Sequence, residues 1–165
     1  MSPASSEVPA HLDEAVCRVL YHRLLDRWNE RDGRGMAELF ADDGSVIGFD
    51  GSQINGREAI QAEMVRIFQH HTPAAFVGLV REVRRLTDDV ELLRAVAGMV
   101  PPGHDDINPA VNAVQSLIAV RRNGEWKLVL FQNTPAQFHG RPELVEALTE
   151  DLRSELKALQ RNDEE

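Results

Sequence analysis

Two glutamines, Gln115 and Gln132, are the side chains that this sequence places best for holding a small molecule. They lie on either side of Asn123-Gly124, a pair typical of a two-residue hairpin turn. With that turn, strict alternation places both glutamines opposite each other on an otherwise apolar sheet face. Amides do not titrate, so such a pair binds or polarises a carbonyl or hydroxyl and does not transfer protons.

A purely structural reading of this pair stays open. An unpaired buried glutamine costs about 1–3 kcal/mol, and two facing glutamines satisfy each other without any ligand. Asn112 and Asn133 fall on the opposite face of the hairpin by strict alternation. They would join the glutamines only if a strand contained a bulge.

Three other side chains complete the predicted ligand-binding set. Tyr21 is one step off the apolar stripe of the first predicted helix, which favours a position at a rim or on the surface. Trp28 belongs either to the core or to a cavity wall. Arg94, on an alternating strand, either extends outward or binds a ligand carboxylate. The predicted ligand-binding residues are Tyr21, Trp28, Arg94, Gln115 and Gln132.

No catalytic residue, metal site or cofactor is predicted. The loop sequence His104-Asp105-Asp106 has no second spaced set of histidines or cysteines, so it indicates a solvated turn. No GxGxxG motif follows a strand, as a dinucleotide site would require. The single Cys17 excludes an intrachain disulfide, and we expect it to pack in the core.

Amino-acid composition and net charge limit the classes of partner that this chain is expected to bind. The chain has 165 residues and a net charge of −9, and this acidity argues against binding nucleic acid. No apolar run is long enough to span a bilayer, and the first ten residues lack the features of a signal peptide. A lone cysteine fits a reducing compartment, so we expect a cytoplasmic protein without nucleic-acid or membrane partners.

The elements that must position these residues follow an α+β order. The predicted helices cover residues 11–31, 36–40, 56–71 and 142–161. The predicted strands cover residues 45–50, 76–86, 90–100, 111–122 and 125–134. We divide the chain into a disordered lead-in (1–10), one domain (11–140), a C-terminal amphipathic helix (141–161) and an acidic tail (162–165). Helices followed by antiparallel hairpins predict one curved sheet wrapped around the N-terminal helices.

The last hairpin is apolar on both faces, so its sheet needs two covers. Leu117 and Leu128 represent one apolar face, and Ile118 and Val129 represent the other. The helices supply one cover. A second subunit is expected to supply the other, which predicts a homodimer through the sheet, and the C-terminal helix is the competing cover.

Several motifs carry a resemblance to a known superfamily. They are Trp28 with Arg31-Asp32, the run 39–44 (LFADDG) and the run 56–60 (GREAI). Together they resemble the nuclear-transport-factor-2-like superfamily, including SnoaL-like proteins. The runs 112–115 (NAVQ) and 131–135 (FQNTP) are similar to the SgcJ/EcaC group, some of whose members are encoded beside enediyne polyketide synthases. This resemblance implies a cone-shaped α+β barrel, commonly dimeric, with a ligand cavity between helices and sheet.

The resemblance does not carry over a catalytic apparatus. Ketosteroid isomerase, on the same fold, needs a general base and two strong donors at an oxyanion. Alignment on the Ala-Asp-Asp turn places Gly48, Leu24 and Leu117 at those three positions. An isomerase mechanism would require Tyr21 or Asp50 to substitute.

These observations leave a ranked set of functions and do not decide whether the protein is an enzyme. The first is a cofactor-independent protein of secondary metabolism that binds or processes an apolar, polyketide-like ligand, as in enediyne or polyketide biosynthesis. The alternative is a non-catalytic dimeric interaction module. An isomerase or cyclase ranks third, because no base is identified.

Overall fold

The computed structural model describes residues 10–164, with side chains for residues 16–163. Within that range, four helices and six strands form one α+β unit. The helices are α1 (Ala10–Asn29), α2 (Gly33–Glu38), α3 (Arg57–His70) and α4 (Pro142–Glu164). The strands are β1 (Phe40–Ile47), β2 (Gln53–Asn55), β3 (Ala75–Thr87), β4 (Val90–Val100), β5 (Ala113–Arg122) and β6 (Glu125–Pro135). The predicted α+β class is confirmed, and the predicted lead-in lies outside the described residues except for Ala10.

The helix boundaries follow local chemistry. The Asp32 side chain accepts a hydrogen bond from Gly35 N at 2.8 Å and so caps α2. The helix α3 ends at His70, three residues before Pro73. Proline at the first turn begins α4, as its missing N–H predicts. Several boundaries differ from the prediction. The helix α2 spans residues 33–38 and not 36–40, β1 spans residues 40–47 and not 45–50, and β2 occupies part of a predicted loop.

The strands form a single sheet in the order β2-β1-β6-β5-β4-β3. All neighbouring pairs are antiparallel except β1 and β6, which run parallel. The strands β2 and β3 are the two edges, so the sheet curves but does not close into a barrel.

A β-bulge in the last hairpin changes the predicted register. Ala119 pairs with Leu128 as expected, but Ile118 pairs with Leu130, so Val129 is an extra residue on β6. From there on, Gln115 pairs with Asn133 and not with Gln132. The prediction that the two glutamines face each other is therefore wrong. The bulge that would place Asn133 on the same face as Gln115 is present.

Each face of the sheet has its own cover. The inner face packs against α1, α2 and α3 and includes the buried residues Leu93, Leu117 and Leu128. The opposite surface, which we call the outer face, is covered over β3 and β4 by α4, through Leu148 and Leu152. The C-terminal helix is thus a cover of the outer face there, while β5 and β6 keep the exposed Val114 and the half-buried Ile118 and Leu130 on that face.

Candidate functional site

A cavity of about 620 Å³ lies between the inner face of the sheet and the helices. Its apolar wall comes from the first three helices and the sheet: Trp28 from α1, Met36 from α2, Met64 and Ile67 from α3, and Phe76, Met99 and Phe131 from the sheet. A pocket of this size and lining is typical of a site for a small organic molecule.

A buried chain of three polar side chains leads to this cavity. The Tyr21 hydroxyl donates to Gln115 Oε1 at 2.6 Å, and Gln115 Nε2 donates to Asn133 Oδ1 at 3.0 Å. Tyr21 and Gln115 are fully buried. Asn133 is half-buried and lines the cavity. We refer to these three side chains as the Tyr21 relay.

The relay orients the amide of Asn133. A buried hydroxyl hydrogen needs an acceptor, and Gln115 Oε1 fills that need for Tyr21. Because the Gln115 oxygen accepts from Tyr21, the amino group of Gln115 is the group that donates to the oxygen of Asn133. The amino group of Asn133, which has no hydrogen bond to the described part of the chain, is then the donor presented to the cavity.

Gly78 makes the relay possible. A β-carbon at this position of β3 would lie 2.2 Å from Tyr21 Oη and 2.5 Å from Leu25 Cδ1. Only glycine therefore allows the tyrosine to approach the sheet. Burial also raises the pKa of Tyr21, so the hydroxyl stays protonated and acts as a hydrogen-bond donor.

The carboxylates on the cavity wall are held ionised. A hydrogen bond from the backbone N–H of Ser52, at 2.9 Å, lowers the pKa of Asp50. A hydrogen bond from Arg66 lowers the pKa of Glu63. An efficient general base has a pKa near the working pH, so both carboxylates are shifted away from that role.

The structure brings three of the five predicted ligand-binding residues to the cavity region and leaves two elsewhere. Trp28 lines the cavity. Gln115 and Tyr21 do not line the cavity but are linked by hydrogen bonds to Asn133 on its wall. Tyr21 is fully buried, so the predicted position at a rim or on the surface is wrong. Arg94 pairs with Glu82 at 2.5 Å on the exposed outer face. Gln132 lies opposite Ser116 on that same face, with its amide donating to Thr134 Oγ1 at 3.3 Å.

The positions expected from ketosteroid isomerase do not supply its chemistry. Leu24 and Leu117 are buried core residues, and Gly48 lies on the cavity wall. Asp50 reaches the cavity, but with a lowered pKa. Tyr21 is fully buried and does not line the cavity, and its hydroxyl is engaged by Gln115.

Asn133 was considered in the sequence analysis only on condition of a bulge, and it was left out of the predicted ligand-binding set. Strict alternation puts it on the outer face, and the bulge at Val129 reverses that assignment. The sequence signals this uncertainty in the run Leu128–Phe131 (LVLF). Its four consecutive apolar residues do not alternate with polar ones, so they do not determine which side chains face the cavity.

The other reactive groups in the described part of the chain do not show the features of a catalytic or metal site. Burial, and secondarily the charge of Glu91, raises the pKa of the Cys17 thiol to about 12, so it is not a nucleophile at neutral pH. Among the described residues, no three His, Cys, Asp or Glu side chains are grouped as metal ligands. No helix in the described part of the chain is long and apolar enough to cross a bilayer.

Comparison with known proteins gives a family and several structural neighbours. The model of the SnoaL-like domain family matches residues 18–137. No curated protein matches the sequence. The matched range contains the whole Tyr21 relay and ends before α4.

Three solved structures illustrate the fold. A domain of unknown function with a cystatin-like fold from Nostoc punctiforme has a TM-score of 0.73 at 20% identity, covering 93% of this chain and 98% of that one. An NTF2-like protein of unknown function from Pseudomonas putida has a TM-score of 0.63 at 17% identity, over 78% and 91%. A ketosteroid isomerase-like protein from Erwinia carotovora atroseptica has a TM-score of 0.59 at 14% identity, over 74% and 95%. At these identities the likeness concerns the fold alone.

Proposed function

Since the chain belongs to the SnoaL-like domain family, whose fold suggests ligand binding or an isomerase-like function, we propose that its cavity binds a small, largely apolar molecule. The ligand carries a carbonyl or another hydrogen-bond acceptor, which the amino group of Asn133 recognises. The observation that carries this proposal is the Tyr21 relay, which ends at a donor in an apolar cavity of about 620 Å³.

Three of the chain's four methionines, Met36, Met64 and Met99, support a ligand of this class. Methionine is flexible and polarisable, so it adapts to apolar shapes better than branched side chains do. Trp28, Phe76 and Phe131 add flat aromatic surface. A polyketide-like molecule of secondary metabolism combines apolar surface with carbonyl groups, and it is the ligand class that we propose.

The lowered pKa values of Asp50 and Glu63 favour binding over isomerisation. An isomerase-like step needs a base that takes a proton from carbon, and a lowered pKa makes each of these two carboxylates a weaker base. The polar side chains of the relay are amides and a protonated tyrosine. They orient and polarise a carbonyl without accepting a proton from carbon.

We predict that Asn133→Asp removes the preference for a ligand carbonyl. The carboxylate keeps an acceptor for Gln115 but loses the donor that faces the cavity. The measurement compares the affinities of acetylnaphthalene and ethylnaphthalene, which differ in one carbonyl oxygen, by calorimetry. The parent protein should favour the ketone by roughly two- to tenfold, the value of one neutral hydrogen bond, and the variant should not.

Gln132→Glu is the matched control, because it makes the same amide-to-carboxylate change on the outer face. It should leave the ketone preference intact. Equal affinity of the parent protein for the two compounds would refute recognition by Asn133. Binding of neither compound, nor of larger apolar ketones, would refute the ligand function itself.

We also propose a homodimer in which the outer faces of β5 and β6 pack together. The support is a partly exposed apolar surface, with Val114 40% exposed and Ile118 and Leu130 half-buried, where α4 does not reach. Such a surface on a stable protein is commonly a contact for another protein. The cavity lies on the other side of the sheet, so dimerisation leaves it accessible.

A charge placed on this surface should separate the subunits. We expect Val114→Glu to convert the dimer to a monomer in sedimentation-velocity experiments, because two carboxylates would be desolvated in one interface. Val19→Glu changes a comparably exposed valine on α1 and should leave the dimer unchanged. A parent protein that sediments as a monomer at micromolar concentration would contradict the proposal.

A further inference from the structure

Trp28 stands between the main cavity and a second pocket. The second pocket has a volume of about 240 Å³ and is lined by residues 73–75 and 100–104 with Asn29 and Arg31. Within the part of the chain that the structure describes, Trp28 is the residue common to the linings of both cavities. Trp28 therefore lies where the two spaces adjoin.

The indole ring is held in place from three directions. Trp28 Nε1 donates to Ala74 O at 2.9 Å, and Ala74 belongs to the wall of the second pocket. The ring packs edge-on against Phe68 and tilted against Phe76, with both ring centroids 5.2 Å away. With its N–H engaged and both flanks packed, the indole is held in a defined position beside both spaces.

The second pocket offers apolar surface to the end of an alkyl chain, next to polar groups. Its lining combines the apolar Pro73, Ala74, Ala75, Val100, Pro101 and Pro102 with the exposed Asn29, Arg31 and His104. At about 30 Å³ for a group the size of a water molecule, its volume corresponds to roughly half a dozen or more non-hydrogen atoms of additional ligand. Because Trp28 is the described lining residue that the two spaces share, a ligand that extends from the main cavity into this pocket would pass it.

We propose that Trp28 sets the maximum length of the ligand, and that the second pocket is an extension for an alkyl tail which the indole closes. This inference rests on the proposed function, because it assigns a length limit to a ligand of the same cavity. It makes Trp28 a specificity-determining residue, distinct from Asn133, which recognises the polar end.

The test uses calorimetry with a series of straight-chain methyl ketones of increasing length. In the parent protein, affinity should rise about fourfold per added methylene, the value of burying one such group. The rise should stop once the chain meets the indole. In Trp28→Leu the rise should continue for several more carbons. Trp28→Phe, which keeps a ring between the pockets, should stop close to the parent length.

A second substitution tests whether the added carbons of the ligand occupy the second pocket. Ala75→Trp in the Trp28→Leu background fills the second pocket from its own wall and should return the length limit to that of the parent protein. If Trp28→Leu proves too unstable, Trp28→Met opens the same passage with less loss of apolar volume. Circular dichroism and thermal unfolding establish that each variant is folded.

The outcomes separate the two proposals. A folded variant with an open passage but an unchanged length limit would overturn the role of Trp28, while ketone binding by the parent protein would still stand. A longer limit that Ala75→Trp does not reverse would place the extra chain elsewhere and refute the second pocket as the extension. A parent protein that binds no ketone of any length would refute the ligand function, and the length limit with it.

Discussion

Replacing Gln115 with leucine should lower the free energy of unfolding by about 2–4 kcal/mol. The substitution keeps the side-chain size but removes both hydrogen bonds of the relay. It leaves the fully buried Tyr21 hydroxyl without an acceptor, which costs about 1–3 kcal/mol. It also removes the donor to Asn133 Oδ1, a half-buried group whose lost hydrogen bond is worth about 0.5–1.5 kcal/mol. Urea unfolding followed by circular dichroism gives the difference directly, provided that the denaturant dependence is the same for both proteins.

Gln132→Leu is the matched control, since it makes the same change on the neighbouring strand. Gln132 lies on the outer face with a single long hydrogen bond to Thr134, so its replacement should change the free energy of unfolding by less than about 0.5 kcal/mol, as is usual at surface positions. Similar losses for both variants would contradict the register that the bulge at Val129 creates. They would instead indicate the unbulged hairpin, in which both glutamines face the core.

Replacing Gly78 with alanine should lower the free energy of unfolding by about 2–3 kcal/mol, a large value for a single added methyl group. The new β-carbon would lie 2.2 Å from Tyr21 Oη and 2.5 Å from Leu25 Cδ1. Those contacts are closer than any packed atoms allow, so the tyrosine must move off Gln115. Thermal and urea unfolding measure the loss, and the ketone preference should weaken with it because Asn133 loses its orientation.

Two comparisons test the cause of this loss. Gly48→Ala adds a methyl group where the nearest atom is Asp50 Oδ1 at 3.5 Å, an ordinary contact, so it should be neutral or slightly stabilising. The double variant Tyr21→Phe/Gly78→Ala should be less unstable than the sum of the two single variants, because removing the hydroxyl relieves the closest contact. Additive losses would show that the strain arises at Leu25 and not at the relay.

The local features of the fold were predictable from short-range chemistry. Asn123-Gly124 indicated the hairpin, and both of its residues adopt the positive φ that such a turn requires. Pro142 marked the start of α4, and the alternation along residues 90–100 predicted β4 with the observed bounds. Each of these signals acts within a few residues of the feature that it specifies.

Which side chains face the cavity could not be predicted from short-range chemistry. The stretch Leu128–Phe131 is apolar at every position, so both registers of the hairpin bury similar surface, and the bulge alone chooses between them. Tyr21 appeared to lie off the apolar stripe, yet it is buried because Gly78, far along the chain, leaves room for it. Neither the register of the hairpin nor the burial of Tyr21 is indicated by residues nearby in the sequence.

The sequence by itself therefore determined the α+β class, the hairpins, the start of α4 and the polar side chains from which a binding site would be chosen. Only the tertiary structure decided which amides line the cavity, which cover lies over each part of the sheet, and that Trp28 lines two pockets. The physical reason is the range of the interactions. Turns and caps depend on neighbouring residues, whereas facing, burial and cavity shape depend on contacts such as Tyr21 with Gln115 between distant segments.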